Sequence, residues 1–151
     1  MNVGEVCNRE VVFIRPDETL LEAARRMRQR HVGDLVIAEE RSGKRYPIGV
    51  LTDRDLVIEI LAREADPEAI TAGDLADPDA LLTVQSGDDL LHALAGMRSR
   101  GVRRMPVVDR DGALVGILTM DDVLELLSEQ MNDLVKLVAR QRQREAAVRA
   151  N

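Results

Sequence analysis

The chain has 151 residues, a net charge of −6 and 45% hydrophobic residues, which is enough apolar material for one globular domain with its own core. Phe13 and Tyr46 are the only aromatic residues, and two rings cannot build the stacking platform that single-stranded nucleic acid requires. The single cysteine, Cys7, excludes an intramolecular disulfide, and with only two histidines it cannot complete a tetrahedral zinc site.

Charge is unevenly distributed along the chain. Residues 136–151 carry a net charge of +4, which leaves −10 on the remainder. An acidic body repels the phosphates of DNA, so nucleic acid is not expected as a partner. The N-terminal residues do not combine a basic region with an apolar one, and no apolar run reaches the ~18–20 residues that span a bilayer. We expect a cytoplasmic protein that has no membrane partner.

Strand-like and helix-like patterns alternate in the first half of the chain. Short apolar segments predict strands, apolar residues at spacings of three and four predict a helix, and a glycine-containing turn between two apolar segments is typical of a β-hairpin. Asp17 stands in an N-cap or first-turn position before the helix. The predicted elements are a strand at 11–14, a helix carrying Leu20, Leu21, Ala24 and Met27, a hairpin of 35–37 and 48–51, and a helix from Asp55 to about Arg63.

The second half repeats this pattern. The pattern Leu-Leu-x-Ala-x-x-x-Met-Arg-x-Arg-x-Val begins at Leu20 and again at Leu90, an offset of 70 residues. A second match pairs Gly-Val-Leu-Thr-Asp-Arg-Asp from Gly49 with Gly-Ile-Leu-Thr-Met-Asp-Asp from Gly116. Asp88 stands in the N-cap or first-turn position here. The predicted elements are a strand at 81–84, a helix carrying Leu90, Leu91, Leu94 and Met97, a hairpin of 106–108 and 114–118, and a helix from Asp122 onward.

The repeat also predicts the domain organisation. Two β-α-β-β-α units that each leave an apolar face uncovered would pack against each other, and small sheets covered by helices make an α+β fold. We predict one unit at 1–64, a linker at 65–70, a second unit at 71–128 and a C-terminal helix extension at 129–151. An apolar seam with coiled-coil-like spacing needs a partner, so this helix either folds back over the two units or pairs with a second chain, and we expect the pairing. The seam consists of Leu124, Leu127, Met131, Leu134 and Val138.

The tandem order of helix, Arg-x-Val, hairpin and Gly-h-h-Thr-x-x-Asp, where h is apolar, resembles the cystathionine-β-synthase (CBS) domain pair, or Bateman module. The resemblance covers residues 3 to about 128. It implies two repeats paired about a pseudo-twofold axis, with two clefts that can bind AMP, ADP, ATP, NAD or S-adenosylmethionine. In this family the Asp of the motif accepts hydrogen bonds from ribose, and the Thr meets ribose or phosphate. The resemblance implies these roles for Thr52 with Asp55 and for Thr119 with Asp122.

The residue types fit these roles independently of the resemblance. An ionised carboxylate accepts hydrogen bonds only, so it can take both hydroxyl protons of a cis-diol. The same Thr-x-x-Asp spacing is also that of a capping box, in which Thr52 or Thr119 would cap a helix without any ligand. The two roles can coexist, because the outer lone pairs of a capping carboxylate remain free.

The groups around the two motifs differ between the repeats. The second repeat has Arg103-Arg104-Met105-Pro106 at the mouth of its second strand, where two guanidinium groups could bind phosphate or form a solvated surface pair. In the first repeat Asp34 replaces a basic residue, and Arg54 or Lys44 would have to supply charge. We expect two unequal clefts, with the better phosphate site in the half that contains Arg103–Pro106 and Thr119–Asp122. Ile14 and Val84 could sandwich a base against Leu35 and Met105, or could be ordinary core.

These features favour a regulatory module over an enzyme, because no nucleophile, base and metal constellation is present and no catalytic or metal-binding residue is predicted. An adenine nucleotide would be a regulatory ligand in one or both clefts and not an obligatory cofactor. It would change the packing of the repeats, and an unidentified effector protein would read the change in trans. The alternative is a structural homodimerisation module whose degenerate clefts bind no ligand, which Asp34 and Val36 favour.

Overall fold

The computed structural model describes residues 1–150 and contains two three-stranded sheets, one from each repeat. In each sheet a two-residue leading strand runs parallel to the first hairpin strand, and the hairpin strands pair antiparallel. The fold class predicted from the sequence, an α+β fold of two β-α-β-β-α units with a C-terminal helix, is confirmed. The strands are β1 Phe13–Ile14, β2 Asp34–Arg41, β3 Lys44–Thr52, β4 Val84–Gln85, β5 Arg104–Val108 and β6 Leu114–Thr119.

Helices cover the sheets, and most of them begin with a capping box formed by an Asn or Thr and an acid three residues later. The helices are α1 Val3–Val6, α2 Leu20–Arg30, α3 Asp53–Leu56, α4 Ala72–Leu75, α5 Leu90–Arg100 and α6 Met120–Arg149. A π-helical segment, Val57–Leu61, continues α3. The helix predicted from Asp55 is thus one α-helical turn followed by a wider one. Within residues 1–150 no helix is both long and apolar enough to cross a membrane.

The caps of the two long helices of the repeats differ from the predicted ones. Thr19 caps α2 and Asp89 caps α5, so Asp17 and Asp88 do not have that role. The carboxylate of Asp88 accepts a hydrogen bond from the backbone N–H of Gln85, and the side chain of Asp17 is exposed. Several residues just before a helix can serve as its N-cap, and the sequence does not decide between them. Asp88 instead stabilises the turn that precedes α5, by accepting a hydrogen bond from the backbone of that turn.

The short helix that opens each repeat packs on the other repeat. Val3 in α1 is fully buried in the core of the second repeat, and its N–H donates to the carbonyl of Asp88 at 2.9 Å. Ala72 in α4 is fully buried in the core of the first repeat, and its N–H donates to the carbonyl of Glu18 at 2.9 Å. This reciprocal exchange interlocks the two repeats.

The segment that follows each exchanged helix crosses the sheet of the other repeat. Its position explains why the repeated motif contains a glycine. Asn8 exchanges two backbone hydrogen bonds with Ile117, at 2.9 and 2.8 Å. A Cβ atom on Gly116 would lie 2.8 Å from Sγ of Cys7, and one on the equivalent Gly49 would lie 3.3 Å from Cα of Ala76. A side chain at Gly116 would collide with the crossing segment, so glycine is required there, and a side chain at Gly49 would be in tight contact with the crossing segment.

The leading strands are shorter than predicted. β1 begins at Phe13 and β4 at Val84, whereas the apolar pattern predicts strands from residues 11 and 81. Val11 instead packs in a small cluster that joins β2 and β6, and Leu82 packs against the core of the second repeat. The apolar residues before each leading strand therefore make contacts between elements and do not extend the sheet.

The last helix begins on the second repeat and then leaves it. Val123 is the one buried residue of α6, and every residue from 127 to 149 is exposed. Thirty helical residues span about 45 Å at 1.5 Å per residue. Most of α6 is thus free to contact another molecule.

Candidate functional site

A cleft of about 380 Å³ lies between the end of β3 in the first repeat and the start of β5 in the second. Small-molecule sites typically measure about 300–1,000 Å³ and are mostly apolar with a few polar groups. The polar side chains that line this cleft are Thr52, Asp77, Arg103 and Arg104. The remaining lining is backbone and aliphatic, with Val50, Leu75, Leu81, Leu82 and Val102 as its larger side chains.

Thr52 and Thr119 both form the capping box that the sequence allowed, but their hydroxyl groups differ. Thr52 Oγ1 accepts from the N–H of Asp55 at 3.2 Å, and the Asp55 carboxylate accepts from the N–H of Thr52 at 2.8 Å. Thr119 makes the same two contacts with Asp122, and its hydroxyl also donates to Asp122 Oδ2 at 2.6 Å. The Thr52 hydroxyl donates to no acceptor within residues 1–150, so it can donate to a ligand.

Arg104 brings a positive charge to the cleft and also faces an acidic side chain of the other repeat. Its Nε lies 3.5 Å from Oδ2 of Asp34, and the two side chains are 32% and 21% exposed. Nε is buried without a hydrogen-bond partner among residues 1–150, so the contact is an ion pair without a hydrogen bond. Burial raises the pKa of Asp34; the charge of Arg104 opposes that rise, and the charges of Asp53 and Asp122 add to it.

The Thr119–Asp122 motif has acidic surroundings. Asp122 lines a separate cavity of about 660 Å³ together with Glu5, Glu125 and Glu129, and four carboxylates disfavour a phosphate. The sequence predicts that Arg103–Pro106 and Thr119–Asp122 form one phosphate site, and Arg104 is paired in register with Thr119 across β5 and β6. Arg103 and Arg104 also line the cleft that contains Thr52, because the start of β5 faces the end of β3 across the two repeats.

Five of the predicted contact residues are core residues. Ile14 and Leu35 are fully buried in the first core, and Val84 and Met105 are 6% and 2% exposed in the second. Pro106 is also fully buried. None of the five lines the cleft. Burial therefore supports the core alternative over the sandwich of a base.

The other predicted basic and acidic groups of the first repeat do not line the cleft. Arg54 is exposed and Asp55 is half-buried beside Thr52. Lys44 lies at the hairpin turn, 3.7 Å from Asp109 and 3.5 Å from Asp111, so its charge is used there. The basic groups of this cleft come from the second repeat alone.

Leu75 at the end of α4, together with Ala80, Leu81 and Leu82 in the loop before β4, forms an aliphatic wall of the cleft that the sequence does not predict. The apolar pattern of this segment predicts the start of a strand. Asp77-Pro78, a pair that marks turns, is the signal that this segment is a loop before the strand. Nothing in the pattern indicates which repeat the loop contacts.

Known proteins share the repeated sequence. A profile of the CBS domain matches residues 3–62 and 72–129. Hypoxic response protein 1 of Mycobacterium tuberculosis is 37% identical over 125 residues, 83% of this chain and 84% of that protein. An uncharacterized protein of Methanopyrus kandleri is 38% identical over 126 residues, 83% of this chain but only 62% of that protein. The chain therefore spans less than two thirds of the length of that second relative.

Solved structures share the fold. The crystal structure of Hypoxic Response Protein I, with two coordinated zinc ions, has a TM-score of 0.71 at 34% identity and covers 83% of this chain and 98% of that one. A CBS domain protein from Pyrobaculum aerophilum complexed with AMP has a TM-score of 0.71 at 27% identity, with 85% and 99% covered. Among the described residues 1–150 no group of three or more His, Cys, Asp or Glu could hold a metal ion. The tandem motif, the two matched repeats and the shared fold show that the chain belongs to the CBS domain family, as the sequence predicts.

Proposed function

We propose that the protein is a regulatory module that binds an adenine nucleotide in the cleft between Thr52 and the Arg103–Arg104 pair. The observation that carries this proposal is the lining of the cleft, which places aliphatic walls beside a free hydroxyl, two guanidinium groups and a single carboxylate, that of Asp77. Aliphatic side chains can enclose a purine, and guanidinium groups bind phosphate in bidentate fashion. The complex of the Pyrobaculum aerophilum protein with AMP supports this class of ligand.

The proposed ligand would act on the contact between the repeats. Thr52 and Val50 belong to the first repeat and Arg103 and Arg104 to the second, so a bound nucleotide would touch both. A change in their packing is the proposed output, and an effector protein would read it in trans. AMP, ADP, ATP, NAD and S-adenosylmethionine are the candidate ligands, and the proposed role is binding without catalysis.

Calorimetric titration with these five ligands tests the proposal. A ligand at ~100 times its Kd stabilises the folded protein by about 2.7 kcal/mol, so thermal unfolding gives a second measurement. Arg103→Ala is expected to lower the affinity for a phosphate-bearing ligand ~10-fold, which is the effect of losing one charge-assisted hydrogen bond. Arg110→Ala is the matched control, because Arg110 is an exposed arginine in the turn between β5 and β6. This variant should bind the ligand with unchanged affinity. Binding of none of the five ligands would contradict the proposal.

A structural homodimerisation module is the second candidate, and the exposed apolar face of α6 favours it. In that case the clefts are degenerate and no nucleotide binds, although two chains still associate. A regulatory module can also be a homodimer, so the oligomeric state does not separate the two candidates. The titration does, because only the regulatory module gains stability from a nucleotide.

A further inference from the structure

Asp34 and Arg104 occupy equivalent positions, the first residue of the first hairpin strand in each repeat. Asp34 pairs in register with Thr52 and Arg104 with Thr119, so each stands beside the threonine of its own motif. The two side chains meet between the repeats at 3.5 Å. Basic residues at both positions would place two like charges at this meeting point, which is unfavourable. Asp34 makes the contact an ion pair.

This ion pair uses a group that also lines the cleft. Arg104 is a lining residue, and its buried Nε has no hydrogen-bond partner within residues 1–150. A guanidinium group offers five N–H donors, and bidentate bonds to phosphate are stronger than a single longer ionic contact. Asp34 holds Arg104 by charge alone, so a phosphate in the cleft can compete for it.

We propose that Asp34 competes with the phosphate of the ligand for Arg104 and thereby determines how strongly the cleft prefers phosphorylated adenine nucleotides over adenosine. This inference rests on the proposed function, since it concerns the same cleft. A bound phosphate turns Arg104 away from Asp34 and removes an ionic contact between β2 and β5. Adenosine leaves that contact in place. A phosphorylated ligand is thus linked to the packing of the two repeats, and an unphosphorylated one is not.

The surroundings of Asp34 make the loss of Arg104 costly. Asp34 is mostly buried, and its acidic neighbours are Asp53 from α3 and Asp122 from α6. Removing one partner of a buried pair leaves an uncompensated charge, which is unfavourable. This cost lowers the net affinity for a phosphorylated ligand. Replacement of the carboxylate by a neutral group removes the cost.

Asp34→Asn tests the inference, because asparagine has nearly the same size and no charge. We expect AMP to bind ~10-fold tighter to this variant, and adenosine to bind within about twofold of its affinity for the wild type. Asp53→Asn is the matched control, since it removes a neighbouring carboxylate that is not paired with Arg104. Its gain in AMP affinity should be clearly smaller than that of Asp34→Asn, and its affinity for adenosine should stay unchanged. In an Arg104→Gln background, Asp34→Asn should no longer improve the binding of AMP.

Equal affinity of AMP for the wild type and for Asp34→Asn would overturn the inference and leave the proposed function intact. A gain from Asp53→Asn as large as that from Asp34→Asn would overturn it as well, because the effect would then be one of general charge. Failure of AMP and adenosine to bind any variant would contradict the proposed function itself. Asp34→Ser, which also cannot hold Arg104 by charge, repeats the comparison if circular dichroism shows that Asp34→Asn does not fold.

Discussion

The ion pairs of this protein differ mainly in the solvent exposure of their side chains. Arg103 and Asp121 lie 3.6 Å apart with side chains 72% and 82% exposed, and such pairs contribute about 0–1 kcal/mol. Glu18 and Arg26 are 15% and 31% exposed, and Arg26 also donates to the carbonyl of Phe13 at 2.8 Å. Arg26 thereby ties α2 to the leading strand of its sheet, and the Glu18 carboxylate holds its guanidinium group in place. Burial and a shared network make this pair more important for stability than the exposed ones.

Glu18→Gln is expected to destabilise the protein in a pH-dependent way. The hydrogen bond from Arg26 is the main cause that holds the pKa of Glu18 below its ordinary value. Such a carboxylate adds stability above its unfolded pKa and loses that contribution as the pH falls through its folded pKa. Urea unfolding should show a loss of ~1 kcal/mol at pH 7 that shrinks below about pH 4. Glu68→Gln, at an exposed position, is the control, and a loss that stays constant down to pH 3 would contradict the assignment.

At the scale of a single element, α6 combines an exposed apolar face with opposite net charges on its two halves. Residues 121–133 carry five acids and no base, and residues 136–149 carry five bases and one acid. Antiparallel pairing of two such helices places halves of opposite charge side by side, whereas parallel pairing places like charges together. We therefore expect an antiparallel homodimer through α6. Its seam residues are 48–66% exposed and comprise Leu124, Leu127, Met131, Leu134 and Val138.

Leu134→Glu is expected to convert the homodimer into a monomer. Leu134 is 62% exposed, so the substitution should cost the monomer at most about 0.5 kcal/mol, as is usual for surface positions. Truncation after Ser128 removes most of the seam and should have the same result. Gln143→Glu is the control, because position 143 lies on the helix face opposite the seam. Sedimentation velocity measures the mass, and an unchanged dimer of the truncated chain would rule out α6 as the interface.

The local patterns and the long-range contacts of this protein differ in how well the sequence predicts them. Apolar spacing predicts the two long helices of the repeats and both hairpins, because periodicity is a property of each segment alone. The exchange of α1 and α4 depends on contacts between segments far apart in the chain, and no local pattern encodes it. For that reason the sequence predicts Thr52, Arg103 and Arg104 as site residues but does not predict that both arginines line the cleft that contains Thr52. The apolar residues before β4 fit a strand or a cleft wall equally well.

At the scale of the whole molecule, the exchange of α1 and α4 makes the core of each repeat depend on residues that belong by sequence to the other repeat. The core of the second repeat contains Val3 and Cys7, which precede β4 by more than 75 residues. The core of the first repeat contains Ala72 from α4. A contact that is distant in sequence costs more loop entropy to form, so the cores are completed only when both repeats are folded. A core mutation should therefore destabilise the repeat in which the side chain packs, even when the mutated residue belongs by sequence to the other repeat.

Val3→Ala is expected to weaken the second repeat, although residue 3 belongs by sequence to the first. Val3 is fully buried among the residues of the second core, and the lost methyl groups should cost ~2 kcal/mol. Native-state hydrogen exchange should then show reduced protection in β5 and β6, with a smaller change in β2 and β3. Val12→Ala is the matched control, because Val12 packs against the core of the first repeat and should reduce protection in β2 and β3. A larger loss of protection in β2 and β3 than in β5 and β6 for Val3→Ala would contradict the exchange.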